Sequence, residues 1–510
     1  MQLIKLVSAT GAVIPDAFGE RVIRELSFDS RGVSDGTLFF CLRGSKQDGH
    51  DFAREAYKRG CRDFVCETAL DLPADASQII VENTRRALAA MSAEFYGHPA
   101  EKLVVIGVTG TKGKTSVASY IHHIINYSAA QRDNPLAAAY TDNAAAYTNN
   151  AAAYIGTNGI DICGVVTPTH NTTPESLLLH RALAEMVQKG VKYAVIEVSS
   201  QAYKHWRVDG IKFDLGIFTN LSKDHIGPPE HENFDEYREC KSRLFANSRR
   251  AVLNADDENA GFMARALPPG ARYTTCGINS AADYTVTNIA KWKSHSALGV
   301  SLELAIGKEK YELSVPCPGD FSASNAALAF AAARELGVPA REIAQALRSA
   351  TVRGRFELID TLPYATFIVD YAHNELSLEN ALLALREYNP ARLVCLFGSV
   401  GGRTQLRRPM LAAIAEKYAD FCIVTADNPD DEPVDVIMRD IVRGFSPGFH
   451  AYTCIPDRVD AIDFAVETAR VGDVVLLAGK GHENYQIIRG DRVPFSERTF
   501  LQMAGRKVLV

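Results

Sequence analysis

A multidomain α/β protein built on mainly parallel sheets is what this sequence predicts, on three observations. The chain has 510 residues, more than one ordinary core can organise, so two to four domains are expected. Short apolar strands alternate with amphipathic helical stretches from end to end. A strand, a Gly-Lys-Thr loop and a helix follow one another without a break after Leu103.

Three blocks separate along the chain. The first, residues 1–97, carries strands at Gly36–Leu42 and Gln78–Val81 and closes on the linker Tyr96-Gly-His-Pro99. The second, residues 98–352, opens with the strand Leu103–Val108, continues through Tyr193–Val198 and Leu215–Thr219, and reaches the helix Ser324–Glu335. A hinge is expected near Arg353-Gly-Arg-Phe356. The third block, residues 353–510, has strands at Thr366–Asp370, Leu393–Phe397, Phe421–Val424 and Asp473–Leu477 and reads as a Rossmann-like sheet.

One segment breaks the pattern. Ala137-Ala-Ala-Tyr-Thr-Asp-Asn143, Ala144-Ala-Ala-Tyr-Thr-Asn-Asn150 and Ala151-Ala-Ala-Tyr-Ile155 repeat every seven residues. The polar pair ending the first two copies has poor helix propensity and no charges flank it, so a coiled coil is disfavoured. The repeat reads as an expanded surface loop, an insertion at about 129–150.

Composition narrows the function. A formal charge of −6 gives no electrostatic ground for a nucleic-acid partner. The longest apolar runs, such as Val474–Gly479, fall far short of the roughly 20 residues that span a bilayer. Met1–Val7 lacks a basic start and a cleavage site, so no membrane partner and a cytoplasmic location are expected. Ten cysteines without a Cys-x-x-Cys pair read as buried free thiols.

The loop Gly110-Thr-Lys-Gly-Lys-Thr-Ser116 is the strongest chemical signal. Its glycines let backbone N–H groups approach phosphates, Lys114 can reach the β- and γ-phosphates, and Thr115 can hold Mg²⁺. A glycine turn without a ligand is the plain alternative, but Gly-Lys-Thr seated directly between strand and helix argues against it. Val108 stands where the strict motif has its first glycine, which favours a variant loop over a kinase or GTPase. Glu197 ends a buried strand, where an α/β sheet presents residues to its crevice, and can hold Mg²⁺. His225 lies past the end of another strand; a lone histidine is more often structural, and its place in the same crevice favours a role.

Taken together, Gly110-Thr-x-Gly-Lys-Thr-Ser116, Glu197-Val-Ser-Ser200, Thr219-Asn-Leu-x-x-Asp-His225 and Asp370-Tyr-Ala-His373 resemble the Mur ligases over nearly the whole chain. Asp29-Ser-Arg31, Phe39–Gly44 with Asp48-Gly-His50, Asn171-Thr-Thr-Pro174, Asp427-Asn-Pro429 and Gly479-Lys-Gly-His-Glu483 make the pattern most similar to the MurE type. That type adds the third residue of the peptidoglycan stem to UDP-N-acetylmuramoyl-L-alanyl-D-glutamate. The resemblance implies ATP, two Mg²⁺ ions and small-molecule substrates, and a monomer is expected.

The resemblance implies roles for residues that the pattern alone leaves only plausible. Gly110, Thr111, Lys112, Gly113, Lys114, Thr115 and Ser116, with Asn325, Asp370 and His373, would bind ATP as the third domain rotates inward. Lys114, Lys241, His225, Glu197 and Arg355 would be catalytic. Lys241 matches the lysine that takes up CO₂ to become a carbamate; as a bare sequence position it is a solvated helix residue. Thr115, Glu197, His225 and carbamoylated Lys241 would hold the metals. Ser30, Ser45, Lys46 and Gln47 would hold the uridine diphosphate end, and Asn171, Thr172, Thr173, Ser199, His205 and Arg207 the muramoyl-dipeptide end. The departure at His205, often glutamine in the family, weakens its transfer.

The incoming amino acid would meet Arg403, Asp427, Asn428, Pro429, Asp430, Gly479 and Glu483. Enzymes of this type that use meso-diaminopimelate generally carry arginine after Asp-Asn-Pro, to bind the distal carboxylate. Here Asp430 stands there, followed by Asp431 and Glu432. An acid would attract a distal ammonium, so L-lysine is the preferred substrate, with meso-diaminopimelate or L-ornithine as alternatives. Equally, the acids form a solvated loop and specificity arises elsewhere. A related ligase acting on folate, and a nucleotide-regulated binding protein, are the competing functions.

Overall fold

The computed structural model describes the chain except residues 14–15, 45–46, 134–150, 224–225, 228–229, 295–296, 403–404 and 510, and the side chains of residues 16, 132, 133 and 509. The described residues form two compact units. One comprises those of Met1–Thr141, Ala145–Asp283 and Ala331–Val338; the other comprises Tyr284–Phe330 and Pro339–Val510.

The first unit holds two sheets. Near the N-terminus, Glu25–Ser27, Thr37–Phe40, Asp63–Cys66 and Ser77–Ile80 pair in sequence order, all parallel. Leu3, Leu6, Leu38, Phe40, Val65, Leu88 and Met91 fill one side of that sheet. The larger sheet runs Arg272–Gly277, Arg250–Asn254, Leu215–Phe218, Val104–Thr109, Tyr193–Glu197 and Ala152–Gly156, all parallel, with two antiparallel strands added beyond. Parallel strands are covered on both faces, which is why Val105, Ile106, Val108, Val195 and Ile196 are all buried. Val104–Thr109 sits between strands that come later in the chain on either side, so the order reverses there. That reversal is where an open α/β sheet forms its ligand crevice.

One expectation fails in this unit. The third repeat copy is a core strand, Ala152–Gly156, buried throughout and paired in parallel with Tyr193–Glu197. A short apolar run of Ala, Tyr and Ile satisfies a strand buried on both faces, and its likeness to the two preceding copies hid that. Those copies lie outside the described residues. The start of the expected insertion, residues 129–133, continues the helix Lys114–Asp133.

In the second unit, Tyr284–Lys293, Leu298–Ile306 and Glu309–Val315 form an antiparallel meander. A six-stranded sheet follows: Glu357–Leu362, Ala365–Asp370, Val474–Ala478, Leu393–Phe397, Phe421–Val424 and Tyr452–Cys454, parallel except for the first pair. The hairpin Tyr485–Ile488 with Asp491–Pro494 lies apart from it. All ten cysteines are free; eight are buried as expected, while Cys163 is half-buried and Cys454 exposed. Among the described residues no helix is long and apolar enough to cross a membrane.

His180, in the helix Ser176–Gln188, is buried with neither ring nitrogen hydrogen-bonded among the described residues. Burial, and after it the charge of His98, brings its pKa down to about 4. The native ring therefore stays neutral in a range where the unfolded ring, titrating near 6.5, takes up a proton. Stability linked to this residue is full above pH 6.5 and falls by roughly 3 kcal/mol as pH drops to 4. Urea unfolding of His180→Leu at both pH values checks this: the variant should show a fall smaller by about that amount, and an equal fall refutes it.

Candidate functional site

The crevice at the strand reversal is built from three strand ends. After Thr109 the chain turns through Gly110, whose φ of 151° lies where side chains are strained; a Cβ there would come 1.9 Å from Thr219 Oγ1. The end of Leu215–Phe218 laces onto the loop. Thr111 N–H donates to the Asn220 carbonyl (2.8 Å), Lys112 N–H donates to Asn220 Oδ1 (2.9 Å), and Thr219 Oγ1 donates to the Lys112 carbonyl (2.6 Å). The helix Lys114–Asp133 then starts at the loop, aiming its N-terminus at the crevice. Lys114 Nζ folds back to the carbonyls of Gly110 (2.9 Å) and Thr111 (3.1 Å).

Glu197 is fully buried at the end of its strand. Its Oε2 accepts from Thr115 Oγ1 (2.9 Å), its Oε1 accepts from Thr157 N–H (3.0 Å), and Tyr154 OH also donates to Oε1. Thr115 and Glu197 thus offer two hard oxygens side by side, a donor set that suits Mg²⁺. Lys241 is not a solvated helix residue. It is buried on the helix Phe234–Ala246, with Nζ over the Tyr237 ring (4.5 Å) and donating to the Gly110 carbonyl at 2.8 Å. His225, expected beside it, lies outside the described residues.

Further along the same crevice, Thr173 Oγ1 donates to the Glu197 carbonyl (2.7 Å) and accepts from Ser199 N–H (3.0 Å). Thr172 Oγ1 meets Thr157 Oγ1 at 3.1 Å. Arg207 Nη1 donates to the Thr173 carbonyl (3.2 Å), so Asn171–Thr173, Ser199 and Arg207 share one region. His205 is half-buried; burial, then Arg85 and Arg207, lower its pKa to about 4. Ser30 is buried in a 3₁₀ turn whose preceding Asp29 accepts from Arg31 N–H (3.0 Å). Gln47 is exposed, and Ser45 and Lys46 lie outside the described residues.

Several members were missed in the sequence. Tyr154 was lost in the third repeat copy, and Thr157 follows two residues after it. Glu175, directly after Asn171-Thr-Thr-Pro174, clamps two guanidinium groups: Oε1 accepts from Arg207 Nε (3.0 Å) and Oε2 from Arg85 Nη1 (2.9 Å). All three side chains are at most 20% exposed. Glu175→Ala strands both cations, and the expected loss of unfolding free energy is about 3 kcal/mol, less when Arg85→Ala is added. Strictly additive losses in denaturant unfolding would refute the clamp.

In the second unit, Asp370 is buried, accepting from Phe356 N–H (2.8 Å) and Ala372 N–H (2.9 Å), and burial raises its pKa. Arg355 lies over the Tyr371 ring (5.1 Å). His373 is exposed rather than a core residue, its Nδ1 2.8 Å from the Tyr371 carbonyl. Asn325 is buried in the helix Asp320–Glu335.

The expected amino-acid pocket is cross-linked by a residue given no role in the sequence. Lys480, fully buried, donates to Asn428 Oδ1 (2.7 Å) and Glu483 Oε2 (2.8 Å) and lies 3.6 Å from Asp427 Oδ1. Asn428 Nδ2 also donates to Glu483 Oε2 (3.0 Å). Gly479 runs against Asp427, where a Cβ would come 3.0 Å from Oδ2. Pro429 is followed by Asp430 in the left-handed region, at φ 54°. Arg403 lies outside the described residues.

The acids after Pro429 are not arranged as expected. Asp430 Oδ1 accepts from Gly490 N–H (2.8 Å). Glu432 accepts from Arg408 with both oxygens (2.7 Å each) and from Gly402 N–H (2.8 Å), so its pKa falls to about 2. Two of the three carboxylates meant for a distal ammonium are thus engaged within the protein.

Comparison with known proteins matches three family models: Mur ligase family, catalytic domain, over residues 22–96; Mur ligase middle domain over 108–333; and Mur ligase, glutamate ligase domain over 354–481. The chain is 37% identical over 481 residues to a UDP-N-acetylmuramoyl-L-alanyl-D-glutamate–2,6-diaminopimelate ligase of Caldanaerobacter subterraneus subsp. tengcongensis, covering 94% of each chain. It is 37% identical over 517 residues to the protein of the same name from Geobacillus kaustophilus, covering 99% of this chain and 100% of that one. A solved structure of an enzyme with that name superposes with a TM-score of 0.69 at 27% identity, covering 100% of both chains.

Proposed function

Since the chain belongs to the Mur ligase family, we propose that it joins 2,6-diaminopimelate to the D-glutamate of UDP-N-acetylmuramoyl-L-alanyl-D-glutamate, coupled to cleavage of ATP to ADP and phosphate. The observation that carries the chemistry is the convergence on one phosphate-binding loop of Glu197, on Thr115 at 2.9 Å, and Lys241, on Gly110 at 2.8 Å. The relatives' names favour diaminopimelate over lysine, the first choice from the sequence, and the pairing of Glu432 with Arg408 takes one of the three acids away from a distal ammonium.

A carboxylate is a poor electrophile. Its oxygen attacks the γ-phosphorus, the bond to the bridging oxygen breaks, and ADP leaves behind an acyl-phosphate. The amine of the incoming amino acid then attacks the acyl carbon, loses a proton, and expels phosphate to leave an amide. Charge builds on the transferring phosphoryl group, so preorganised cations and N–H groups dominate the catalysis. Lys114 and the N-terminus of Lys114–Asp133 supply part of that field, and Arg355 is assigned to the same task. Mg²⁺ held by Thr115 and Glu197, with a second ion on His225 and carbamoylated Lys241, would add the rest. We assign residues 1–97 to the UDP end of the substrate, 98–352 to ATP and 353–510 to the amino acid. Asn325, Asp370 and His373 are assigned to ATP, and Arg403, Asp427, Asn428, Gly479 and Glu483 to the amino acid.

The test is phosphate release by the full chain with ATP and the UDP-muramoyl-dipeptide, supplied separately with meso-diaminopimelate, L-lysine and L-ornithine. Diaminopimelate should stimulate most. Stimulation by lysine alone overturns the substrate, and no stimulation of folded protein by any of the three overturns the reaction.

A further inference from the structure

A cavity of about 300 Å³ opens in the second unit beside the loop that carries Glu483, lined among others by Arg353, Glu357, His482, Glu483, Glu497 and Arg498. Its volume is at the lower end of small-molecule pockets, roughly 300–1,000 Å³. Two guanidinium groups share it. Arg498 pairs with Glu357, whose other oxygen accepts from Gly354 N–H at 2.7 Å. Both arginines keep an exposed side, but partial burial, and after it the charge of Arg353, lowers the Arg498 pKa, as expected for two cations held close together. An anion entering the cavity would relieve that repulsion.

The same lining carries an unspent acceptor. Glu497 is buried, and its Oε1 takes both Arg458 Nε (2.9 Å) and Nη2 (2.7 Å). Its Oε2 is buried with no hydrogen-bond partner among the described residues, a costly state that a donor would end. His482 adds no charge at neutral pH, since burial and then Arg355 lower its pKa to about 4. The cavity therefore asks for a ligand that brings a carboxylate and a positively charged donor close together.

We propose that this cavity receives the distal end of the added diamino dicarboxylic acid, its carboxylate between Arg353 and Arg498 and its ammonium on Glu497 Oε2. The distal carbon of diaminopimelate bears both groups; that of lysine bears only the ammonium. Glu483 lines the cavity and also closes the Asn428–Lys480 cluster, so the two ends of one amino acid meet neighbouring walls. Arg353 and Arg498 thereby take the task that arginine after Asp-Asn-Pro performs in similar ligases and that Asp430 cannot perform here. The inference rests on the reading of the chain as a stem-peptide ligase.

The test compares kcat/KM for meso-diaminopimelate and L-lysine in the full chain and in Arg353→Gln and Arg498→Lys. Each variant should lower kcat/KM for diaminopimelate roughly 30- to 100-fold, through KM, while the lysine value and the KM for ATP move less than about twofold. Equal losses on both amino acids, or an unchanged KM for diaminopimelate, overturn the cavity's role. Calorimetric binding of diaminopimelate to the full chain separates this from failure of the reaction. Binding that Arg353→Gln abolishes supports the site even where no ligation is seen, and binding that it leaves intact overturns the site even where ligation is seen.

Discussion

With Lys241 replaced by alanine, amino-acid-dependent phosphate release is expected to fall by about a thousandfold or more, and formate or acetate at high concentration should restore part of it. Lys241 has almost no solvent to hold its charge: it is 2% exposed, packed over Tyr237, and donates to the Gly110 carbonyl. A cation pinned to the phosphate-binding loop could be merely structural. The carbamate reading gives it a different task. On that reading its neutral amine would add to the carbon of CO₂ and release a proton, leaving an anion with two hard oxygens, for which Mg²⁺ is the fitting partner. The two readings part on rescue. A lost structural pin would not be replaced by a small carboxylate, whereas a lost anionic ligand would. Full activity of Lys241→Ala without additive removes the residue from the mechanism, and inactivity that no carboxylate relieves removes the carbamate.

What could be read from the sequence was what is local in it. The place of Gly110–Ser116 was legible because the strand, loop and helix that meet at the crevice are contiguous, and that of Glu197 because it ends an apolar run. Ala152–Gly156 was not: as the third member of a repeat it looked like the other two, and only pairing with Tyr193–Glu197 distinguishes it. Glu175 and Arg85 meet across 90 positions, a pairing that no local pattern encodes. The surroundings of Asp430, Asp431 and Glu432 were hidden for the same reason. A run of like charges suggests an attractive field, yet what each carboxylate does depends on partners brought by distant segments, Gly490 for Asp430 and Arg408 for Glu432. Lys480 sat inside a recognised motif, and only its complete burial among Asn428, Glu483 and Asp427 gives it a task.

Glu197→Gln should be nearly as damaging as the loss of Lys241, by about a thousandfold in turnover, and its cause can be isolated. Glu197 is fully buried and collects donors: Thr115 Oγ1, Thr157 N–H and Tyr154 OH. Glutamine keeps the shape but removes the charge, and its NH₂ must face groups that themselves donate. That mismatch costs about 1–3 kcal/mol of stability, too little to unfold an average domain. The larger effect is on metal. In the unmodified chain, ATP with Mg²⁺ should bind more tightly than ATP alone if, as proposed, Thr115 and Glu197 both hold the ion. In Glu197→Gln that advantage should collapse to within a fewfold, while binding of metal-free ATP, which depends on the loop N–H groups and Lys114, stays unchanged. Titrating ATP with and without Mg²⁺ against both proteins decides it: if the Mg²⁺ advantage survives in the variant, Glu197 only braces the crevice through Thr115, Tyr154 and Thr157.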